Sequence, residues 1–341
     1  YFSNLGLAAT GDKVHVIWIM SDYSWGQIYR VGSTNSGNTF STPQDVSKIP
    51  TTNPQVYTNY VKMSASGDNV YVAWQQYDES KTGNNEQGSV HFTKSNDAGK
   101  SFDSGRIFSQ KGTTPQPQVV SSGNVVCLTW YDDNGISFKR SQDSGRTFDD
   151  TLVLTKDFGY PKISLPVGNT DNIYITYMYW PIWDVQLIRS TDSGKSFAGP
   201  MTLTNNTLRA SPYSFFTPSI LSESDHVFIL FPKLIEGEGD HMSLLVSSNG
   251  GEDFDAIYDL TELLGVSGNY KAAASLSGLH LAWIDDSASI TYVQYPDLSP
   301  PSSEELNDVA TDENTNFLPA LVGIGAAMAG IAAYFTLRKR K

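Results

Sequence analysis

Acidic and aromatic side chains recur together in this chain, each group just beyond an apolar run that ends in an aromatic residue. The groups are Asp22, Tyr23 and Trp25; Asp78 and Glu79; Tyr131, Asp132 and Asp133; Tyr179, Trp180, Trp183 and Asp184; Glu236, Glu238, Asp240 and His241; and Asp285 with Asp286. Flat rings lie well against sugar faces, and carboxylates accept hydrogen bonds from hydroxyls, so this set suits carbohydrate. The same residues would hold a cationic peptide or amine through cation–π and ion-pair contacts. Paired carboxylates such as Asp78/Glu79 and Asp132/Asp133 also suit acid–base chemistry on a neutral glycoside, given the right separation. The plainer alternative is that an Asp after a Trp caps a strand end and that the rings pack on neighbouring loops. The stretch YMYWPIW carries more aromatics than a loop needs, which singles out Tyr179, Trp180 and Trp183.

Other chemistries find less support. His15, His226 and His280 fall within apolar runs and are expected to be packed, leaving His241 as the loop histidine. Calcium is the one metal these acids could take, but no EF-hand-like loop is present, so no metal site and no cofactor is assigned. Cys127 is the only cysteine; it lies in Val125-Val126-Cys127-Leu128, where a buried thiol is expected and no intrachain disulfide can form. Net charge is −13, and four of the cations are the last four residues. So acidic a body repels phosphate backbones, which excludes nucleic acid as a partner.

The elements that must position these residues form an internal repeat. The pattern Ser-x-(Asp/Asn)-x-Gly-x-x-Phe occurs at Ser33–Phe40, Ser95–Phe102, Ser141–Phe148, Ser190–Phe197 and Ser247–Phe254. Its third residue (Asn35, Asp97, Asp143, Asp192 or Asn249) can bond backbone N–H groups two residues on and shape a turn. The Gly permits positive φ, and the Phe can anchor the turn by burying its ring. Asn in the first and fifth copies should weaken those turns without removing them. A second repeat precedes each octapeptide: alternating apolar runs ending at Trp18, Trp74, Trp130, Tyr177 and Phe231, with a sixth ending at Trp283. The unit reads strand A, turn, strand B, loop, strand C, octapeptide, strand D. In the first unit the strands are expected near Leu5–Ala9, Val14–Met20, Gln27–Gly32 and Pro43–Ser47. Four antiparallel strands repeated every 50 or so residues describe a propeller blade, and six units fill residues 1–295. An open solenoid is the architectural rival. The sixth unit runs from strand C near Ile290–Tyr295 into prolines without a fourth strand, so an upstream segment is expected to close the ring; otherwise the sixth sheet is three-stranded.

The octapeptides resemble the Asp-box, or BNR, repeat of sialidases and related six-bladed β-propellers. The box falls between the third and fourth strands, as in that family, and the resemblance covers most of residues 1–295. It implies an all-β, sialidase-like six-bladed propeller with boxes and A–B turns at one end and the B–C loops and D–A connections at the other. The family uses the second end, to which the D–A connections add Tyr57, Tyr160, Arg209, Tyr213, Phe215 and Phe216. Family enzymes clamp a substrate carboxylate with three arginines, because a guanidinium fork matches it bidentately, and add an Asp acid/base and a Glu-activated Tyr nucleophile. Only eight arginines exist here. Arg338 and Arg340 are in the tail, Arg30, Arg140 and Arg189 stand just before octapeptides, Arg146 is inside one, and Arg106 is on a strand D. Arg209 alone is expected at the loop end. A triad cannot be assembled, and no Arg-Ile-Pro appears near the first strand A. The reading is therefore a binding module, with Trp25, Tyr131, Asp132, Tyr179, Trp180, Trp183 and Asp184 as ligand-binding residues. The alternative is an exo-glycosidase of the sialidase superfamily using Asp78, Glu79, Arg209 or Tyr213.

The C-terminal segment predicts an anchor. Phe317–Leu337 is 21 residues without a charge, about 32 Å as a helix and close to one hydrocarbon core. Arg338-Lys339-Arg340-Lys341 follows, which by the positive-inside rule keeps this end cytoplasmic and the rest outside, at a cell surface. Residues 296–316 hold Pro296, Pro300, Pro301 and six acids, the composition of a flexible tether. Gly325/Ala329 and Ala326/Gly330 have the spacing that packs a partner helix, but nothing fixes the oligomeric state. The expected partners are the membrane and a surface glycan or protein. The first residue, Tyr1, is not Met and no signal peptide is visible, so processing or an upstream segment is expected.

Overall fold

A computed structural model describes residues 2–21, 26–48, 56–78, 88–110, 115–166, 168, 171–180, 182–204, 217–235, 239–254, 256–266, 270–275, 278–284 and 290–294. These residues form six small antiparallel sheets and one short helix. The first sheet is β1 (Phe2–Thr10), β2 (Lys13–Ser21), β3 (Gly26–Ser33) and β4 (Gln44–Asp45); the second is β5 (Val56–Ser66), β6 (Asn69–Asp78), β7 (Gly88–Ser95) and β8 (Arg106–Ser109). The third is β9 (Gln118–Ser122), β10 (Val125–Asp132), β11 (Gly135–Ser141) and β12 (Leu152–Thr155); the fourth is β13 (Lys162–Ser164), β14 (Ile173–Tyr179), β15 (Asp184–Ser190) and β16 (Ala198–Thr202). The fifth is β17 (Ser219–Glu223), β18 (His226–Ile235), β19 (Gly239–Ser247) and β20 (Ala256–Asp259), followed by α1 (Leu260–Leu264). The sixth has three strands among the described residues, β21 (Tyr270–Ser275), β22 (Gly278–Ile284) and β23 (Ile290–Gln294). In every sheet the strands pair in chain order, as a meander.

Among the described residues the chain divides into two compact units, one of residues up to 126 with 141–148 and one of residues 127–140 with 149–294. Strand B of each sheet is buried along most of its length, as at Val70–Gln75 and Val125–Trp130, because both of its faces are covered. Strand D is outermost and short, and β12 and β16 are mostly exposed. In the first unit Ile17, Ile19 and Ile28 of the first sheet pack on Val61, Val72 and Trp74 of the second. In the second unit Tyr174 and Leu187 of the fourth sheet pack on Ile229 and Phe231 of the fifth, and Leu244 and Val246 of the fifth on Leu281 and Trp283 of the sixth. Cys127 is buried, and that burial pushes its thiol up to about 12, which leaves it inert.

Each octapeptide is a turn built around its Ser as much as its Asp. In the third copy the Ser141 Oγ donates to Asp143 Oδ1 at 2.8 Å and accepts the Gly145 N–H at 2.8 Å. Asp143 then accepts the N–H groups of Arg146 and Thr147 and the Thr147 hydroxyl. The carboxylate therefore reaches three and four residues on, not two. The fourth and fifth residues both take positive φ, as at Ser144 (58°) and Gly145 (74°), so Gly is needed only part of the way through the left-handed pair. Asn35 and Asn249 keep the Oδ1 bonds and use their amides to donate, Asn35 to the Thr39 hydroxyl at 2.9 Å.

Two further bonds tie the turns in place. The fourth residue of each turn donates its N–H to the A–B turn of its own sheet: Ser36 to Asp12, Ala98 to Asp68, Ser144 to Asn124, Ser193 to Asp171 and Gly250 to Asp225. The carbonyl of that same residue, in turns two to five, accepts from a cation of the preceding sheet. Arg30 bonds Ala98, Lys94 bonds Ser144, Arg140 bonds Ser193 and Arg189 bonds Gly250. The Phe rings reach back likewise, Phe148 onto Phe92 at 5.3 Å and Phe197 onto Phe138 at 4.8 Å.

The histidines differ from expectation in two places. His15 and His280 are buried, but His226 opens β18 on the surface, where it stacks beside Phe228. His241 is a strand residue, and its Nδ1 meets Asp259 Oδ2 at 2.9 Å. Among the described residues no helix is long and apolar enough to cross a membrane. The predicted span 317–337, the tether 296–316 and the tail 338–341 lie outside the described residues.

Candidate functional site

Strand C runs from the B–C loop to the octapeptide, so these two features sit at opposite ends of it. The loop end carries the rings. In the fourth sheet the connection from β14 to β15 is a tight turn in which the Trp183 N–H donates to the Tyr179 carbonyl at 2.8 Å. Trp183 takes φ of 59° there. This geometry turns Trp183 inward against the core around Met178 and Val185 and leaves Trp180 outward and 50% exposed. The Trp180 N–H donates to the carbonyl of Phe158, which lies in the connection between β12 and β13.

A run of rings results. Trp180 meets Trp183 edge-on at 5.6 Å and stacks on Phe158 at 4.6 Å. Phe158 meets Tyr131 at 4.8 Å and Tyr160 at 5.8 Å. Tyr131 stands at the end of β10, half-buried, and its phenol is pushed up by burial and then by the Asp133 charge beside it. Phe158 is the member that the loop inventory missed. Its signal was present as the aromatic pair in Asp157-Phe158-Gly159-Tyr160.

The acids play other parts. Asp132 is 3% exposed; it accepts the Trp130 indole N–H at 2.8 Å and the Asn134 N–H at 2.9 Å. Asp184 is 5% exposed and accepts from the Thr204 hydroxyl. Both carboxylates face the sheets and hold them, so neither lies on the ring surface; Asp133 does remain exposed. Beneath the rings the buried Tyr177 donates its hydroxyl to Asp157 Oδ2 at 2.5 Å. Burial and the Asp157 charge hold that phenol protonated.

Asp78 ends β6 in the first unit and lines a cleft of about 550 Å³ with Lys48, Trp74, Gln76, His91 and Arg106. His91 lies face to face with Trp74 at 5.3 Å. Trp25, Glu79, Arg209 and Tyr213 lie outside the described residues. Arg30, Arg140 and Arg189 are engaged at the octapeptide end, and Arg106 sits over the Phe148 ring. Among the described residues no group of three or more His, Cys, Asp or Glu is placed to hold a metal ion.

No protein-family model matches the chain, and no curated protein sequence matches it. Solved structures do. The Hadza microbial sialidase Hz136 superposes with a TM-score of 0.55 at 12% identity, over 85% of this chain and 65% of that one. A mutant of the NanB sialidase from Streptococcus pneumoniae gives 0.57 at 11% identity, over 88% and 66%. Trypanosoma rangeli sialidase in complex with the inhibitor DANA gives 0.55 at 14% identity, over 91% and 56%. What these share with this chain is the fold, an all-β six-bladed propeller. The chain spans between 56% and 66% of their lengths.

Proposed function

We propose that this chain is a membrane-anchored surface propeller of the Asp-box type that binds carbohydrate and does not hydrolyse it. The observation that carries the reading is the contiguous ring run Tyr131–Phe158–Trp180–Trp183, in which Trp180 is half exposed. The exposed indole of Trp180, backed by Phe158, offers a flat apolar ring to a pyranose, and the exposed Asp133 beside Tyr131 is placed to accept from sugar hydroxyls. The absence of catalysis is supported by how the polar groups are used. Three arginines are engaged at the far end of strand C, and the hydrogen-bonded Tyr177–Asp157 pair holds its proton in a buried site where it cannot attack a substrate.

The test is a glycan array probed with the wild-type chain and the Trp180→Ala variant. Binding that disappears in the variant is the expected result; equal binding by both proteins would overturn the reading. A fluorogenic sialoside tests the alternative. Turnover that is lost on Arg209→Ala would make the chain an exo-sialidase instead.

The anchor is proposed from the uncharged 317–337 stretch and its basic flank. The full chain should sediment with membranes, and a chain ending at Asn316 should not.

A further inference from the structure

We infer that the first and second octapeptide turns frame a site for a small tetrahedral oxyanion, sulfate or phosphate, held by Arg30 and Lys100. The site lies at the opposite end of strand C from the ring run, and the inference is independent of the carbohydrate reading.

The repeat supplies its own comparison. In the second, third and fourth sheets the cation that bonds the next turn stands immediately before the octapeptide Ser, as Lys94, Arg140 and Arg189. In the first sheet that position is Gly32. The guanidinium comes instead from Arg30, two residues earlier, and lies where a Gly32 side chain would be. A Cβ on Gly32 or on Gly99 would collide with it. Slotted between these glycines, Arg30 is 4% exposed and donates to the carbonyls of Gly99 at 2.7 Å and Ala98 at 2.9 Å.

The other three cations each have an acid to face. Arg140 pairs with Asp149, the residue after its own octapeptide Phe, at 2.6 Å. Lys94 feels Asp103, which holds the same position in the second sheet. Arg189 has Ala198 there, but it pairs with Glu252, the sixth residue of the next octapeptide, at 3.3 Å. For Arg30 the first position is Ser41 and the second is Lys100. Among the described residues no carboxylate lies within ion-pair distance of Arg30. Asp97 acts on it from further off, and its oxygens are taken up by Ser95 and Ser101.

A buried guanidinium without a counter-ion is costly. Here the cost shows as a pKa lowered by burial to about 10. Two donors beside it have no partner, Arg30 Nε and His15 Nε2. His15 cannot supply the missing charge. Its Nδ1 faces Arg30 Nη2 at 2.5 Å, and burial followed by the Arg30 and Lys13 charges lowers its pKa to about 4.

Arg30 opens onto a cleft of about 670 Å³ whose walls include Gly32, Thr34, Thr39, Ser41 and Lys100. The Ser41 hydroxyl donates to the Thr42 carbonyl, which leaves a buried cation, an exposed cation and the Thr34 and Thr39 hydroxyls around one cavity, the donors a tetrahedral oxyanion requires.

The test uses the full chain and two variants that restore the acid the other sheets possess, Ser41→Asp and Lys100→Glu. Thermal melts are run with sodium sulfate or sodium phosphate against sodium chloride at equal ionic strength. Sulfate at 10 mM should raise the wild-type Tm by about 2 °C over chloride. Both variants should melt higher than wild type in chloride and show no added response to sulfate. A sugar sulfate ester run alongside separates the sources: a larger shift than free sulfate assigns the site to a sulfated glycan, and an equal or smaller one to the free ion. The inference is overturned if wild type responds no more to sulfate than to chloride, or if both variants respond as wild type does.

Discussion

Phe158 stacks on Trp180 with ring centroids 4.6 Å apart and planes 29° from parallel, and its carbonyl accepts the Trp180 N–H at 3.2 Å. The pair joins two connections that are 22 positions apart in sequence. It joins aromatic residues from two connections into one packed cluster, because the backbone bond fixes where each ring must lie.

Trp180 and Trp183 should separate binding from stability. Trp180 is half exposed, so Trp180→Ala is expected to remove at least tenfold in glycan affinity while the urea midpoint changes little. Trp183 packs on the core, and Trp183→Ala should cost about 2–3 kcal/mol in unfolding free energy. Calorimetric titration of whichever glycan the array identifies, together with urea melts of both variants, checks this. Equal stability losses in the two would show that the turn does not divide its rings in this way.

Asp132 should behave as a structural residue. Asp132→Ala leaves the Trp130 indole N–H and the Asn134 N–H without their acceptor and is expected to cost about 1–3 kcal/mol. Its exposed neighbour gives the control, since Asp133→Ala should lie within about 0.5 kcal/mol of wild type. Chemical denaturation of the two variants decides the matter, and the reverse ranking would contradict the inward orientation of Asp132.

Gly99 should be intolerant of a side chain. Its φ is 80°, and a Cβ there would meet the Arg30 guanidinium. Gly99→Ala should cost about 3 kcal/mol, the sum of left-handed strain and displaced hydrogen bonds. Gly67 has φ of 60° but open space around it, so Gly67→Ala should pay only the conformational part, about 1 kcal/mol. Thermal melts that find the two equal would remove Arg30 from the slot.

The octapeptides should make the protein acid-sensitive. Asp143 is held well below the usual carboxylate range by the Thr147 hydroxyl and then the Thr147 N–H, and Asp192 by the same groups of Ser196. At Asp97 burial pushes upward, but hydrogen bonds led by the Ser101 and Ser95 hydroxyls outweigh it, and the pKa falls to about 2. Because the folded values are depressed, the unfolded chain takes up these protons first. The stabilisation is complete above the unfolded value of about 4 and is lost as pH falls from there through about 2. The triple variant Asp97→Asn, Asp143→Asn, Asp192→Asn should lose some stability at pH 7 and show a flatter decline between pH 4 and 2. Urea midpoints across that range measure both effects, and parallel curves for the two proteins would discount the turns.

By itself the sequence determined the repeat and therefore the sheets. The octapeptides and the apolar runs before them are local patterns, and alternation with a period of two fixes which residues are strand and which side is apolar. Only the tertiary structure decided what the loop residues do. Asp132 and Asp133 are adjacent and chemically identical, yet one is buried, holding the Trp130 indole N–H, and the other is exposed, because Asp132 is the last residue of β10 and Asp133 stands in the turn beyond it. The partnership of Phe158 with Trp180, and of Arg30 with Gly99 some 69 positions on, is set by how one sheet packs on the next. No local pattern encodes that, since such contacts depend on the packing of whole sheets and not on the spacing of residues along the chain.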